Sequence, residues 1–340
     1  MNAETETIYS STGTIGVSRR QYDRLYVNGS SYASDFFEIS KNFDRLTNIE
    51  KNYPKKIGRC VYRSVASEQL VQQIRQNGLR QNLEVAFSIG DFTNDNDSWL
   101  IYMANNNPER SRIIPQEIMI EETKGLKEAR ILPEQRVLNL ARQGLRFVNQ
   151  INEQDIDQVE ELWGETFGWS RQEIKNLGHR LIKNHNIWFS AVKDNEKIVS
   201  LAMAEKISIP KNGGFLDLIE STEWKTRAEY AGRGIMSATL AVLNAQILNN
   251  KTTLPLIYAE CNYQSRADLA ASSAGFKIPP RDIDGNPAPQ ILIQNVGVRD
   301  GHVVGNNKLR DFTFMYLPKE TIVNHYSPQN IQTILEVLNK

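Results

Sequence analysis

Residues Leu216–Leu248 read LDLIESTEWKTRAEYAGRGIMSATLAVLNAQIL. An apolar strand carrying acidic residues runs into a basic, glycine-bearing turn. The turn opens a long helix whose expected apolar stripe is Met236, Leu240, Leu243 and Ile247. The first N–H groups of a helix lack intrahelical partners, so a helix start cleared by small residues receives anionic oxygens. Gly232 and Gly234 permit close backbone approach, and Arg227 and Arg233 would add charge-assisted contacts to a phosphate. A tight connection without a ligand would also use two glycines. The spacing fits neither the Walker phosphate loop nor the dinucleotide fingerprint.

Downstream of this stretch, Leu256–Glu260 reads as a strand and Ser265–Ala274 as a helix ending at Gly275. Pro289–Gln294 and Phe312–Leu317 read as late strands, and a final helix starts at Ser327. Upstream, Leu145–Ile151 is a strand by its apolar content, and Asp155–Phe167 and Arg171–Lys183 are amphipathic helices. Three strand-like runs follow, Asn186–Val192, Lys197–Ile207 and Phe215–Trp224, separated by Asp-Asn and Asn-Gly-Gly turns. An earlier block has the same alternation. Asp35–Asn52 is a helix with Phe36, Ile39, Phe43, Leu46 and Ile49 on one face, and Ile57–Val65 is a strand. Ser67 caps a helix that stops at Gly78, and strands follow near Leu83–Ser88 and Trp99–Met103. Ala104–Pro115 reads as a surface excursion with solvated Arg110 and Arg112. The expected class is α+β with a mixed sheet. IGRCVYRSVASEQLVQQIRQNGL and LIYAECNYQSRADLAASSAGF share one cadence of strand, polar cap, helix and glycine turn, which suggests a degenerate internal duplication.

The composition narrows the function. Forty Lys and Arg balance forty Asp and Glu, so nothing supports a binder of nucleic acid that works by bulk charge. No apolar run reaches the roughly 18 residues of a membrane span. The start MNAETETIYSSTG is acidic and polar, unlike a secretory or transit segment, and residues 1–16 are expected to be a flexible N-terminus. Two cysteines, Cys60 and Cys261, are too few for a disulfide framework or a structural zinc site. His179, His185, His302 and His325 lack metal-ligand spacing, so no metal is expected. A cytoplasmic protein without a membrane span is the expectation.

EYAGRGIM at the head of a helix, with AECN and AGF after it, resembles the GNAT N-acetyltransferase superfamily. That likeness implies a mixed sheet flanked by helices and an acyl-CoA co-substrate whose pyrophosphate sits on the loop. The family loop runs Gln or Arg, two residues, Gly, one residue, then Gly or Ala. Here Gly234 matches its central glycine, while Ala231 and Met236 depart at either end. Over nearly the whole chain, YDRLYV, KIGRCVYRSV, ELW, IESTEWKTRAEYAGRGI and NNKLRDFTFMYL resemble β-lysine N-acetyltransferases. An equally close likeness is to the GNAT maturases that place fatty acyl chains on Lys or Orn side chains of ribosomally made peptides. The implied organisation is a degenerate GNAT-like N-terminal domain over 17–140, a catalytic GNAT domain over 141–320 and a C-terminal helix over 321–340. Extra residues around Phe92–Asp97, Asn105–Pro108 and Pro279–Val304 would shape an acyl tunnel or a peptide groove, or be neutral loops.

The resemblance also assigns roles. Glu220 takes the strand position of the family's general base, which removes a proton from the attacking amine. Glu223 is a second candidate, and strand alternation would set the two on opposite faces unless a bulge intervenes. Asp217 is a third. These carboxylates could equally receive a cationic substrate or be exposed strand charges. The Tyr that protonates the leaving thiolate in the family is replaced by Ala271, leaving Tyr258, Tyr263 or water. Trp224, Lys225, Thr226, Arg227, Ala231, Gly232, Arg233, Gly234, Ile235, Met236 and Asn262 make up the implied donor site. A backbone N–H near Trp224–Thr226 would polarise the thioester carbonyl. Cys261 reads as a buried thiol, and Trp163, Phe167, Trp169, Trp188 and Phe189 read as core. The implied reaction is transfer of an acyl group, fatty in the favoured reading, to the side-chain amine of Lys or Orn in a precursor peptide. The donor is acyl-CoA or an acyl-carrier protein. Acetylation of free β-lysine or a small diamine is the alternative, and a non-catalytic protein that binds a CoA ester or a peptide is a third possibility.

Overall fold

The computed structural model describes residues 5–10, 13–20, 24–29, 31–33, 35–52, 59–77, 79, 82–93, 95–104, 132–167, 169–183, 186–249, 251, 253–262, 266–279, 291–299 and 302–339. The chain begins with β1 (Thr5–Ser10), β2 (Gly13–Arg20), β3 (Arg24–Asn28), α1 (Phe36–Asn52), β4 (Arg59–Ser67), α2 (Glu68–Gln76), β5 (Leu83–Ser88), α3 (Gly90–Thr93) and β6 (Ser98–Ala104). It continues with α4 (Pro133–Arg142), β7 (Leu145–Val148), α5 (Ile156–Phe167), α6 (Arg171–Lys183), β8 (Ile187–Asp194), β9 (Lys197–Lys211), β10 (Gly214–Thr226) and α7 (Ile235–Leu248). Then come β11 (Leu256–Asn262), α8 (Arg266–Ser273), β12 (Ile291–Arg299), β13 (His302–Tyr316), α9 (Lys319–His325) and α10 (Pro328–Leu335). The expected α+β class holds. Two compact units divide the chain. One comprises Met1–Thr123, Ser208–Asp217 and Ile278–Phe314, and the other Lys124–Ile207, Leu218–Lys277 and Met315–Lys340.

In the first unit the strand order is β1-β2-β3-β4-β6-β5. Only β3 and β4 run parallel there, because α1 carries the chain across between them. Residues 1–16 were expected to be flexible, yet Thr5–Ser10 and Gly13–Arg20 pair in register as β1 and β2. Their Thr, Ile, Val and Tyr content suits strands, but each run is short, and the second holds Gly13 and Gly16. Ser67 caps α2 as expected, its Oγ accepting from the Leu70 N–H at 3.2 Å. Ile39 and Phe43 of α1 are buried with Tyr62, Leu70, Ile74 and Trp99, while Leu46 and Ile49 lie outside the described side chains. Ala104, expected to begin a surface excursion, is buried at the end of β6, while residues 105–115 of that excursion, with Arg110 and Arg112, the Asn105–Pro108 insertion and Gly78 lie outside the described residues.

In the second unit the order is β7-β8-β9-β10-β11, with the C-terminal end of β13 beyond β11. The helix α7 departs from the expected one-face stripe. Ser237, Thr239 and Asn244 are buried along with Leu240, Leu243 and Ile247, because α7 is enclosed by β8, α4 and α10. Two of its buried polar side chains donate hydrogen bonds inside, while Asn244 Oδ1 has no partner among the described residues. Thr239 Oγ1 donates to the Ile235 carbonyl at 2.9 Å, and Asn244 Nδ2 donates to the Tyr326 hydroxyl at 3.2 Å. Three helices were not foreseen: the short α3, α4, despite Pro133 at its first turn and Gly144 in the left-handed region after it, and α9.

Two ionic contacts differ sharply in worth. Lys193 Nζ meets Asp155 Oδ1 at 2.6 Å with both side chains almost wholly buried. Asp155 also closes a capping box with Asn152 ahead of α5. Arg227, just after β10, donates from Nη1 and Nη2 to the two Glu161 oxygens at 2.6 and 2.7 Å, and from Nε to the Ile198 carbonyl at 2.7 Å. Glu161 is mostly exposed, so screening keeps that pair weak.

Asp155→Ala should cost about 3–5 kcal/mol, because Lys193 would become an uncompensated buried charge. The check is the urea unfolding free energy of the second unit, and a cost below about 1 kcal/mol would mean that Lys193 finds water. The hydrogen bonds from Arg227 hold the Glu161 carboxyl below the usual carboxylate range. A depressed folded value means that the pair contributes above the ordinary carboxylate pKa and is lost as the pH falls through the depressed one. The difference in Tm between the unchanged protein and Glu161→Gln should therefore be small and positive at neutral pH, and vanish in acid.

Candidate active site

The parallel ladder between β10 and β11 is three pairs long: Leu218 with Leu256, Ile219 with Ile257 and Glu220 with Tyr258. Both strands continue beyond it, so they part at Glu220 and Tyr258 and leave a fork. Partners in register on a parallel pair project to the same face. The Tyr258 hydroxyl accordingly donates to Glu220 Oε2 at 2.5 Å, with both residues buried. A carboxylate and a phenol thus meet at the base of the fork.

The bend is built into β10 itself. Glu223 has φ of 58°, the left-handed region, which for a side chain with a Cβ is a strained position. The indole Nε1 of Trp163 donates to the Glu223 carbonyl at 2.8 Å. Trp163 is fully buried, edge-on to Phe189, so the hydrogen bond that fixes the bend comes from the core. This is the irregularity on which the relative facing of Glu220 and Glu223 depends. Further along, the Arg227 N–H donates to the Val199 carbonyl of β9. By alternation the Thr226 N–H points the other way, toward the side that β11 has left. Trp224 packs against Phe276 with ring centroids 6.1 Å apart and donates from Nε1 to Ser221 Oγ at 3.0 Å.

Beyond the fork, Ala228–Tyr230 forms a single 3-10 turn. It is tied down by the Tyr230 hydroxyl donating to Asp194 at 2.8 Å and by Lys197 meeting Glu229 at 2.8 Å. Gly232 and Gly234 then take φ of 82° and 75°, a conformation that favours glycine. Gly234 is the N-cap of α7 and offers no capping side chain, and the first turn of α7 carries no acidic residue. The backbone N–H groups of Ile235, Met236 and Ser237 are thus the orphan donors of the helix start.

A cavity of about 710 Å³ opens there. Its wall includes every proposed donor-site residue except Arg227 and Asn262, and adds Arg136 of α4, Ala228, Tyr230, Ser237 and a face of α8. Among the described residues Arg136, Lys225 and Arg233 are its cations, and none of those in the wall is a carboxylate. The Arg233 guanidinium lies over the Tyr230 ring, 5.2 Å from its centroid. Arg227 is engaged with Glu161 instead, a partner that local sequence cannot reveal. Asn262 ends β11, and its side chain is outside the described ones, as is all of Tyr263. Asp217 accepts from Ser208 Oγ at 2.8 Å near the tip of the β9–β10 hairpin, in the first unit and outside the cavity wall. Arg136 and the α8 face were missed by sequence reasoning, since nothing in PEQRVLNLAR points to a helix start so far along the chain.

Cys261 is buried. Among the described residues no group of three His, Cys, Asp or Glu side chains could hold a metal ion, and no helix is long and apolar enough to cross a membrane.

Comparison with known proteins bears on this geometry. The chain has no significant sequence match among curated proteins. Among solved structures it resembles a conserved protein from Enterococcus faecalis V583, a probable N-acyltransferase, at 16% identity and TM-score 0.28, over 34% of this chain and 29% of that one. It also resembles a spermidine N-acetyltransferase from Vibrio cholerae in complex with CoA and spermine, at 16% identity and TM-score 0.36, over 53% of this chain and 98% of that one. A third is the PaiA N-acetyltransferase from Thermoplasma acidophilum in complex with coenzyme A, at 15% identity and TM-score 0.33, over 50% and 97%. TM-scores this low record a likeness and carry no argument about activity or substrate. The family model for the GNAT acetyltransferase domain matches residues 148–265, which hold α5 to β11 with the fork and the glycine loop. Over those residues, about a third of the chain, the protein matches a GNAT acetyltransferase domain.

Proposed function

We propose that the protein transfers an acyl group from acyl-CoA to a primary amine, with Glu220 and Tyr258 moving the protons. The observation that carries this reading is the hydrogen-bonded carboxylate and phenol at the point where β10 and β11 part. The cavity suits the donor. Orphan helix N–H groups and the cations Lys225 and Arg233 match the pyrophosphate of a CoA thioester.

In the reaction the amine nitrogen bonds to the thioester carbonyl carbon and the carbon–sulfur bond breaks. Glu220 takes the proton released by the amine, directly or through water. Tyr258 passes its own proton to the leaving thiolate and regains one from Glu220, so the amide and a free thiol result with protons balanced. The Thr226 N–H, turned away from β9, stands on the side from which a carbonyl oxygen would be polarised.

The finer reading has a fatty acyl chain placed on the side-chain amine of Lys or Orn in a ribosomally made peptide, from acyl-CoA or an acyl-carrier protein. What supports it is the pattern of extra residues and the departures of the loop at Ala231 and Met236. Residues 280–290 lie outside the described ones, while 291–299 and 302–304 fall in β12 and β13. Acetylation of free β-lysine or a small diamine by the same machinery is the competing form. In this reading the first unit is a degenerate GNAT-like half without catalysis. Its support is topological: β1-β2-β3-β4-β6-β5 and β8-β9-β10-β11-β13-β12 have one order. A helix precedes the second strand of the parallel pair in each, and another follows it. In the first unit, however, all five residues of β3 pair with β4, so no fork opens.

Glu220→Gln should lower kcat by about 10²- to 10⁴-fold while leaving CoA binding intact. Unchanged turnover would remove Glu220 as the base. Incubation with acyl-CoAs of rising length, and with either a Lys-containing peptide or free diamines, should give long-chain acyl peptide by mass spectrometry. Acetyl transfer to free diamines alone would sink the fatty-acyl form. CoA binding with no product from any pair would leave a binding protein.

A further inference from the structure

Arg136 belongs to α4, outside the residues matched by the acetyltransferase family, and the reaction just described does not use it. Its guanidinium nevertheless lies on the N-cap of α7, so close that a Cβ at residue 234 would overlap it. Among the described residues it makes no ion pair, and its Nε is buried without a hydrogen-bond partner. Burial alone displaces it, pushing the guanidinium below its usual pKa with no carboxylate to offset the cost.

That placement is unfavourable for the protein by itself. A helix N-terminus carries the positive end of the macrodipole, so a cation there is repelled and an anion attracted. The first unit shows the ordinary solution. At the start of α1 the Asp35 carboxylate accepts from the Phe37 N–H at 2.8 Å, and Glu38 sits in the first turn. The start of α7 has neither a capping side chain nor an acidic residue, and receives an arginine instead. Two positive features meet at one wall of a cavity lined by no carboxylate among the described residues, and residue 231 of the loop is an alanine with no polar side chain to offer. A doubly negative ligand group would reconcile them, and the planar guanidinium suits two phosphate oxygens.

We propose that Arg136 of α4 binds the pyrophosphate of the acyl-CoA donor at the N-terminus of α7, supplying from another helix the side-chain contact that Ala231 cannot. It acts on donor selection, not on proton transfer. The inference rests on the acyl-CoA reading above, and its consequence is selective: a donor that keeps its pyrophosphate gains from Arg136, and acyl-pantetheine does not.

The test compares the full-length protein with Arg136→Met and Arg136→Lys, titrated with CoA, acetyl-pantetheine and inorganic pyrophosphate. Arg136→Met should weaken CoA by about 10- to 100-fold and leave acetyl-pantetheine unchanged. Arg136→Lys should recover part of the loss. Inorganic pyrophosphate should compete with CoA on the unchanged protein and lose that competition in Arg136→Met. The ligand-free Tm of Arg136→Met should equal or exceed that of the unchanged protein, because a repelled cation has gone. Equal CoA affinity in both proteins would overturn the inference and leave the acyl-transfer reading standing. So would a parallel loss of CoA and acetyl-pantetheine with a lowered Tm, which marks a structural arginine. If the unchanged protein bound no CoA, both readings would fall together.

Discussion

The parallel ladder between β10 and β11 is only three pairs long, and the rest of the second unit is arranged around its end. A sheet that kept pairing would bury the backbone edge of β10 and leave no slot. The bend at Glu223 prevents this, and it persists because Trp163 holds the Glu223 carbonyl from within the core. A residue with a Cβ in the left-handed region costs of order 1–3 kcal/mol, so the surroundings must over-determine it. The aromatic cluster of Trp163, Trp169 and Phe189 is therefore more than filling. It sets where one strand leaves its neighbour, and so where the Glu220 carboxylate and the Tyr258 phenol meet.

Electrostatics is divided along the same strand. The buried carboxylate of Glu220 lies at the base of the fork, and the cations Lys225, Arg233 and Arg136 gather at its far end. A chain with zero formal charge thus separates sign over a few residues of β10 and its loop. Arg227 takes no part in this division, since its fork-to-fork contact with Glu161 clamps the end of β10 to α5.

Much of this could be read from the residues in order. Gly232 and Gly234 mark a left-handed turn wherever they fall before an apolar helix, and the downstream strand and glycine turn complete the pattern. Glu220 could be placed by counting back from that loop. What could not be read are pairings between distant segments. Arg227 looked like a phosphate ligand because Glu161 is invisible to local inspection, and Arg136 lies in a helix that was not expected at all. The stripe expected on α7 was too narrow, because periodicity cannot tell a helix with one buried face from one enclosed on all sides. Strands β1 and β2 escaped notice because short runs rich in Ser, Thr and Gly resemble a loose terminus until a partner is known.

Residues 278–314 are counted with the first unit, and α7 beneath the donor loop packs on α10. The Tyr326 hydroxyl strengthens that dependence, donating to the Ala274 carbonyl at 2.9 Å while accepting from Asn244 of α7. A chain made from its N-terminus would ordinarily complete one domain before beginning the next. Here the first unit has all its parts only once Phe314 has been synthesised, and the second only after the segment that follows it. The edges of both sheets must wait in the meantime, exposed to wrong partners. Maturation of this protein on the ribosome is therefore a late, nearly simultaneous event for both units, and a natural point for chaperone dependence.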